Sequence, residues 1–404
     1  MKQIVVVGGG AAGLMSAWHA KTEDTKVVLL EAGEKPGKKL LATGNGRCNL
    51  TYASKEPKIA YRGAQTDFVN AVLKQFSQSD TLQFFEEQGM LLKKKGEGIY
   101  PYTEQAQTVL SVLMRAVSEK GVRLKTRERV TEISRQDDKF LVKTETWQYE
   151  ADAVILACGS KAAPALGADD IGYTLAQMCG HHVLPVLPAL VPLQTKEKQL
   201  HALAGLRSRA ELTLLVDGKE LAKDSGELQW TNYGISGIVV FQLSRFAAEF
   251  LQQGRFVRMM INLLPGHSLA WMKSFLIKQS GKRADHIFGG IFPEKLTAVL
   301  LSQCRIRPGD LLSESEIEKI LRLSMGLSVE ICKTRGFEYA QVCAGGVDTL
   351  EICEKTMESK LVPGLYFAGE LLDVDGACGG YNLQWAWSSG AVAGKNCSKK
   401  KMGD

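Results

Sequence analysis

Close to its start, the chain runs through a continuous apolar, β-branched stretch, Lys2 to Val7. It passes directly into Gly8-Gly9-Gly10-Ala11-Ala12-Gly13 and then into helix-favouring residues, Leu14 to Ala20. An apolar run without alternation predicts a strand buried on both faces, hence a parallel sheet flanked by helices. The glycine spacing then assigns three tasks. Gly8 permits the tight turn out of the strand, Gly10 lets the backbone approach a pyrophosphate, and Gly13 lets helix and sheet pack closely. Ala11 and Ala12 lie at the helix N-terminus, whose unpaired amides and positive dipole end stabilise phosphate charge without a basic side chain. Lys26 to Leu30 predicts the second strand. It ends at Glu31 and Ala32, where a carboxylate can accept hydrogen bonds from ribose hydroxyls. These elements in this order specify a Rossmann-type dinucleotide site, and both nicotinamide and flavin dinucleotides satisfy it.

At 404 residues the chain exceeds what one core usually serves, so two or three structural units are expected. A net charge of +6 suits an anionic ligand as readily as nucleic acid. The clusters Lys93 to Lys95 and Lys399 to Lys401 lack interleaved aromatics and read as a solvated face and a tail. Nine cysteines without a CxxC pair point away from zinc and dithiol chemistry and fit a reducing cytoplasm. No apolar run reaches the roughly 18 residues of a membrane span, and neither a signal peptide nor a metal site is expected.

After Glu31 comes Pro36 to Thr51, in which Lys38, Lys39, Leu40, Thr43, Gly44, Asn45, Gly46, Arg47, Cys48 and Asn49 form a loop dense in donors, suited to an anionic ligand. Ala153 to Ala157 predicts a buried strand closing on Cys158-Gly159-Ser160. Near the other end, Gly364 to Glu370 predicts a strand closing on Gly369 and Glu370, followed by Asp375-Gly376. Gly379-Gly380-Tyr381-Asn382 opens a helical stretch from Leu383 to Ala393, so a second helix N-terminus becomes available there.

These segments, with Thr174 to Leu193 and Asn232 to Gly237, resemble a bacterial family of flavoproteins that includes aminoacetone oxidases and the BaiN-like reductases associated with bile-acid metabolism. The resemblance runs the length of the chain and is most specific in Gly44-Asn45-Gly46-Arg47-Cys48-Asn49-Leu50-Thr51 and in Gly379 to Gly390. It implies FAD as cofactor, with Glu370 standing where most such flavoproteins carry Asp. It also implies the late helix N-terminus beside the flavin ring, and either NAD(P)H or an amine substrate as electron source.

With flavin motifs at both ends, the expected fold class is α/β: a discontinuous Rossmann-type FAD-binding domain, residues 1–190 and 345–404. It carries an inserted β-barrel-like domain, 191–265 and 326–344, and a helical subdomain, 266–325. Val122 to Ile133 and Phe140 to Tyr149 predict strands of a small antiparallel layer that brings Val130 to the adenine side. In the insert, Ala210 to Val216, Phe256 to Leu264 and Ser328 to Ala344 read as strands, with a turn at Asp217-Gly218. Ser268 to Lys278, Pro293 to Gln303 and Ser313 to Leu323 read as helices, with Ser268 and Ser313 as N-caps and Pro293 at the first helical position.

Flavin chemistry passes through N5, with the protein supplying binding and orientation. No catalytic side chain can be named from the spacing. His181 and His182 are expected to cap a helix end, while Cys48 and Cys378 stand as candidate redox thiols against the plainer reading as packing residues. The expected activity is oxidation or reduction of a small organic molecule, with NAD(P)H a transient donor. An RNA-modifying flavoprotein and a non-catalytic flavin sensor or scaffold remain alternatives, and the oligomeric state is open.

Overall fold

The computed structural model describes residues 1–53, 60–63 and 65–399, so Lys400 and Lys401 of the basic tail lie outside the described residues. The chain divides into two compact units, Met1–Leu187 with Gln341–Asp404, and Pro188–Ala340.

The first unit is built on a five-stranded parallel sheet. Its spatial order is Leu365–Phe367, Ala153–Leu156, Lys2–Val7, Thr25–Glu31 and Arg123–Thr126. The opening strand is central, with Val5 between Val28 and Val154, and Ile4 to Val7 are buried. That position explains the run without alternation. The helix Ala11–Ala20 packs on the last helix, Tyr381–Cys397, through glycines of the latter. A Cβ on Gly390 would lie 2.6 Å from the Ala12 carbonyl oxygen, and one on Gly394 would lie 2.4 Å from that of Ser16. Only hydrogen fits at these two points, so the two ends of the sequence are locked together at backbone distance.

Val130–Gln136, Lys139–Thr144 and Gln148–Ala151 form an antiparallel sheet. Val122 to Ile133 is therefore not one strand of this layer. Arg127 takes a left-handed φ of 58° and breaks the run, leaving Arg123–Thr126 as the parallel edge strand beside Thr25–Glu31. The stretch Pro36 to Thr51 is likewise more ordered than a loop, since it holds the short helix Lys38–Ala42 and a 3-10 turn, Thr43–Gly46.

In the second unit six strands close a barrel, ordered Leu193–Thr195, Gly234–Ser236, Lys219–Thr231, Arg207–Val216, Val257–Asn262 and Leu327–Thr334. Alternate residues Ala210, Leu212, Leu214 and Val216 are buried, as one inward face requires. Asp217 and Gly218 both take positive φ, 47° and 81°, which matches the twist of a two-residue hairpin. The helices Leu269–Ile277 and Glu314–Met325 start at Ser268 and Ser313, whose hydroxyls accept from the amides of Trp271 and Glu316. Pro293 caps Glu294–Gln303 from just outside, one residue earlier than expected. Helices Ile238–Gln252 and Ala284–Phe288 complete the unit. Ser328 to Ala344 is not one strand either. Pairing stops at Thr334, Gly336 turns at φ 81° into the 3-10 segment Phe337–Tyr339, and Val342–Val347 pairs with Val183–Ala189. Among the described residues no helix is long and apolar enough to cross a membrane, and no cluster of side chains is arranged to hold a metal ion.

Two outcomes follow from the helix contact. Gly394→Ala should destabilise the protein by about 1–3 kcal/mol through overpacking, measured by denaturant unfolding, whereas Gly290→Ala, whose Cβ would meet nothing within 4 Å, should not. His19, enclosed by Trp18, Phe76 and Phe84, has its pKa lowered from 6.5 to about 3, first by burial and then by Lys395 and Lys120. Below pH 6.5 the unfolded chain takes up a proton that the folded chain refuses. Stability present above that pH is therefore lost as pH falls toward 3, and His19→Gln should flatten the decline in unfolding midpoints over this window.

Candidate functional site

The nucleotide motif sits where the central strand ends. Gly8 turns the chain at φ 105°, and a Cβ there would stand 2.4 Å from the Ala157 carbonyl oxygen. A Cβ on Gly13 would stand 1.8 Å from the Gly8 carbonyl oxygen, whereas around Gly10, and around Gly159 at the end of the neighbouring strand, it would meet no atom within 4 Å. Two glycines are thus filled by backbone, and two leave open space at the sheet's carboxyl edge. Leu14 is the residue whose amide bonds the Gly10 carbonyl, at 3.0 Å. The amides of Ala11, Ala12 and Gly13 precede that bond in the first turn, which contains no acidic residue.

Glu31 closes the second strand and accepts from the amides of Gly9 at 2.8 Å and Gly33 at 2.6 Å, one on each oxygen. A carboxylate offers about four acceptor positions, so capacity remains for hydroxyl donors beside exposed Ala32. The Glu128 amide bonds the Glu31 carbonyl at 2.9 Å, which brings buried Val130 into the same neighbourhood. Next to it Arg129 pairs with Asp169.

The second segment contributes Lys38 and Lys39 from the short helix and then a left-handed turn. Gly44 and Asn45 have φ of 56° and 55°, and Gly46 follows at 82°, a run that residues other than Gly and Asn rarely adopt. Thr43 is tied by its hydroxyl to the Leu40 carbonyl, and Leu40 itself is core. Arg47 projects outward, while buried Asn49 Oδ1 packs against Gly98. Lys39 Nζ meets the Glu370 carboxylate at 2.6 Å, and the Ser160 hydroxyl donates to the same oxygen at 3.0 Å. Two motifs 331 residues apart therefore meet in one ion pair, with Cys158 and Gly159 alongside. Glu370 is engaged with protein partners, an arrangement that reading it as a strand-end acid did not anticipate.

Gly369 lies against Ala12, and Gly380 caps the last helix at φ 95°, pressed on the Thr51 backbone. Asn382 accepts from the Gly376 amide at 2.7 Å and donates to its carbonyl at 2.8 Å. Tyr381 stacks on Tyr52, Leu383 is half-buried, and Asp375 is buried in the strand Val374–Gly376 opposite Arg62. Cys48 takes the plainer of its two readings, a packing residue. Its side chain is fully buried in the core, and burial pushes its pKa up to about 12, so it is neither accessible nor ionised at neutral pH. The His181 amide caps the helix Ile171–Met178 by donating to the Ala176 carbonyl at 3.0 Å, while its imidazole bridges Glu351 and Ser359 at 2.9 and 2.8 Å. Burial lowers its pKa, against the opposing pull of Glu351.

Several residues escaped the sequence. Trp385 donates to the Gly369 carbonyl and Trp387 to that of Leu50, each at 3.0 Å, so their indoles pin both flanking motifs to the last helix. The Tyr173 hydroxyl is buried and finds no acceptor among the described residues. Its pKa is raised by burial and by its nearness to Cys343 and Glu370. The tryptophans lie within a motif that carried signal, but nothing local marks Tyr173.

This fold is that of a Rossmann-type protein carrying a second, barrel-based unit. The chain belongs to the HI0933-like family, since the profile described as "HI0933-like protein Rossmann domain" matches residues 2–396. It is 41% identical over 409 residues to the 3-dehydro-bile acid delta(4,6)-reductase of Clostridium scindens, covering 99% of this chain and 100% of that protein. It is 31% identical over 394 residues to the ribosomal RNA dihydrouridine synthase of Escherichia coli, covering 95% of each. Among solved structures, 3-ketosteroid delta1-dehydrogenase from Sterolibacterium denitrificans superposes with a TM-score of 0.51 at 11% identity, covering 98% of this chain and 100% of that one. That likeness shows the shared fold.

Two substitutions separate packing from binding. Gly13→Ala should lower the melting temperature by forcing helix from strand. Gly10→Ala should leave stability within about 0.5 kcal/mol yet weaken dinucleotide retention, because its methyl enters the open face. Equal loss of stability in both would contradict the assignment.

Proposed function

We propose that this chain is an FAD-dependent oxidoreductase that reduces a conjugated carbon–carbon double bond in a ring-bearing ketone, with NADH or NADPH as electron source. The observation that carries the reading is the open backbone face at Gly10 and Gly159, set at a helix N-terminus beside Glu31. It is supported by the name of the relative at 41% identity over the whole chain.

The residues fit the cofactor. The amides of Ala11, Ala12 and Gly13 would donate to a pyrophosphate, and the helix N-terminus carries the equivalent of about half a positive elementary charge. Glu31 would hold ribose hydroxyls, and the Lys39–Glu370–Ser160 cluster would offer polar groups to the ribityl chain. Lys39 compensates the Glu370 carboxylate charge at a partly buried position. The amides opening Tyr381–Cys397 present a second positive end for an anionic ring oxygen. When bound, the flavin supplies two-electron redox chemistry that no side chain here provides. A second reading, an RNA-modifying flavoprotein, is favoured by the two relatives at 31% identity named ribosomal RNA dihydrouridine synthase.

Anaerobic stopped-flow absorbance near ~450 nm tests both. NADH or NADPH should bleach the flavin band, and a 3-oxo-Δ4 steroid should restore it. Restoration by ribosomal RNA alone would favour the second reading, bleaching only by aminoacetone with peroxide on readmitting air would make the chain an amine oxidase, and a flavin band that no donor bleaches would make it a sensor or scaffold.

A further inference from the structure

In the barrel unit, Arg335 is held in a way that no ion pair explains. Its guanidinium carbon lies 4.3 Å from the ring centroid of Tyr233 and 4.2 Å from that of Tyr339. Its Nε is buried without an acceptor among the described residues, and no carboxylate pairs with it there. The backbone around it is anchored. The Arg335 amide bonds the Pro192 carbonyl at 2.9 Å, and the Thr195 amide bonds the Tyr233 carbonyl at 3.1 Å. Tyr233 stands in the two-residue turn between Thr231 and Gly234, and Tyr339 ends the 3-10 segment that follows Gly336 and is half exposed.

Stacking against ring faces attracts the cation but uses none of its N–H donors, which lie in the guanidinium plane. The planar fork is thus fixed in orientation while its charge stays uncompensated. Arg129, Arg255, Arg283 and Arg322 in this chain each meet an acid. A planar fork flanked by two aromatic rings, with only its Nε buried, fits an oxygen anion carried on an apolar body, because a carboxylate takes two parallel N–H bonds while the rings cover the adjoining hydrocarbon.

We infer that Arg335, clamped by Tyr233 and Tyr339, is the recognition site for the carboxylate of an amphipathic, ring-bearing ligand. The inference deepens the proposed function by naming the group through which the ligand is recognised, and rests on that reading for the ring-bearing body.

The test is equilibrium binding to the holoprotein, by calorimetry, of deoxycholate, its methyl ester and 4-androstene-3,17-dione. Flavin content and melting temperature are recorded on the same samples. Wild-type protein should bind deoxycholate at least ~10-fold more tightly than the ester, as one charge-assisted pair provides. Arg335→Gln should abolish that difference with flavin content unchanged, and Arg335→Lys, which keeps the charge but not the planar fork, should recover it in part. Equal affinity of the wild type for acid and ester, or no binding of either, overturns the inference. So does an Arg335→Gln protein that still prefers the acid, and so does one that weakens only for the dione, which would make the recognised group an oxo oxygen. Absence of flavin from the wild type would instead defeat the proposed function, and is read independently of the binding data.

Discussion

The carboxyl edge of the parallel sheet depends on a contact too close for any side chain. Helix Ala11–Ala20 begins so near the strand before it that a Cβ on Gly13 would lie 1.8 Å from the Gly8 carbonyl oxygen, and Gly8 is in turn pressed on Ala157. Were either glycine replaced, the helix would have to back away from the sheet. Its first-turn amides would move with it. The position of the first-turn amides at this edge is therefore set by backbone packing before any side chain contributes.

The same helix is held from behind by Gly390 and Gly394 of the last helix. That helix reaches forward through Trp385 to the Gly369 carbonyl and through Trp387 to that of Leu50. It thus acts as the common support of the glycine-rich opening, the segment after Glu31 and the acidic segment at Glu370. The Lys39–Glu370 ion pair then joins two of these at the surface of the site. A chain whose cofactor motifs lie at opposite ends needs such a support, and here small residues and buried indoles provide it.

How much of this was legible varies with the range of the physical cause. The opening motif reads correctly at Gly8 and Gly13 because each answers a local steric demand, and the barrel strand Arg207–Val216 reads because its alternation records one buried face. The Ser268 and Ser313 caps read for the same local reason. Failures arise where a single backbone reversal decides the outcome: Arg127 at φ 58° splits an apparent strand, and Gly336 ends another. Other features are decided by partners distant in sequence. Glu370 meets Lys39 and Ser160, and Arg335 lies between two tyrosine rings, and nothing in the local sequence of either marks these partners.

The most direct test of the account is the identity and stoichiometry of the nucleotide released when the purified protein is denatured, determined by chromatography and mass spectrometry. The account predicts FAD at close to one per chain, because the proposed site, with first-turn amides for a pyrophosphate and Glu31 for a ribose, calls for the whole dinucleotide. Release of FMN alone, or failure of the refolded apoprotein to take up added FAD, would contradict it.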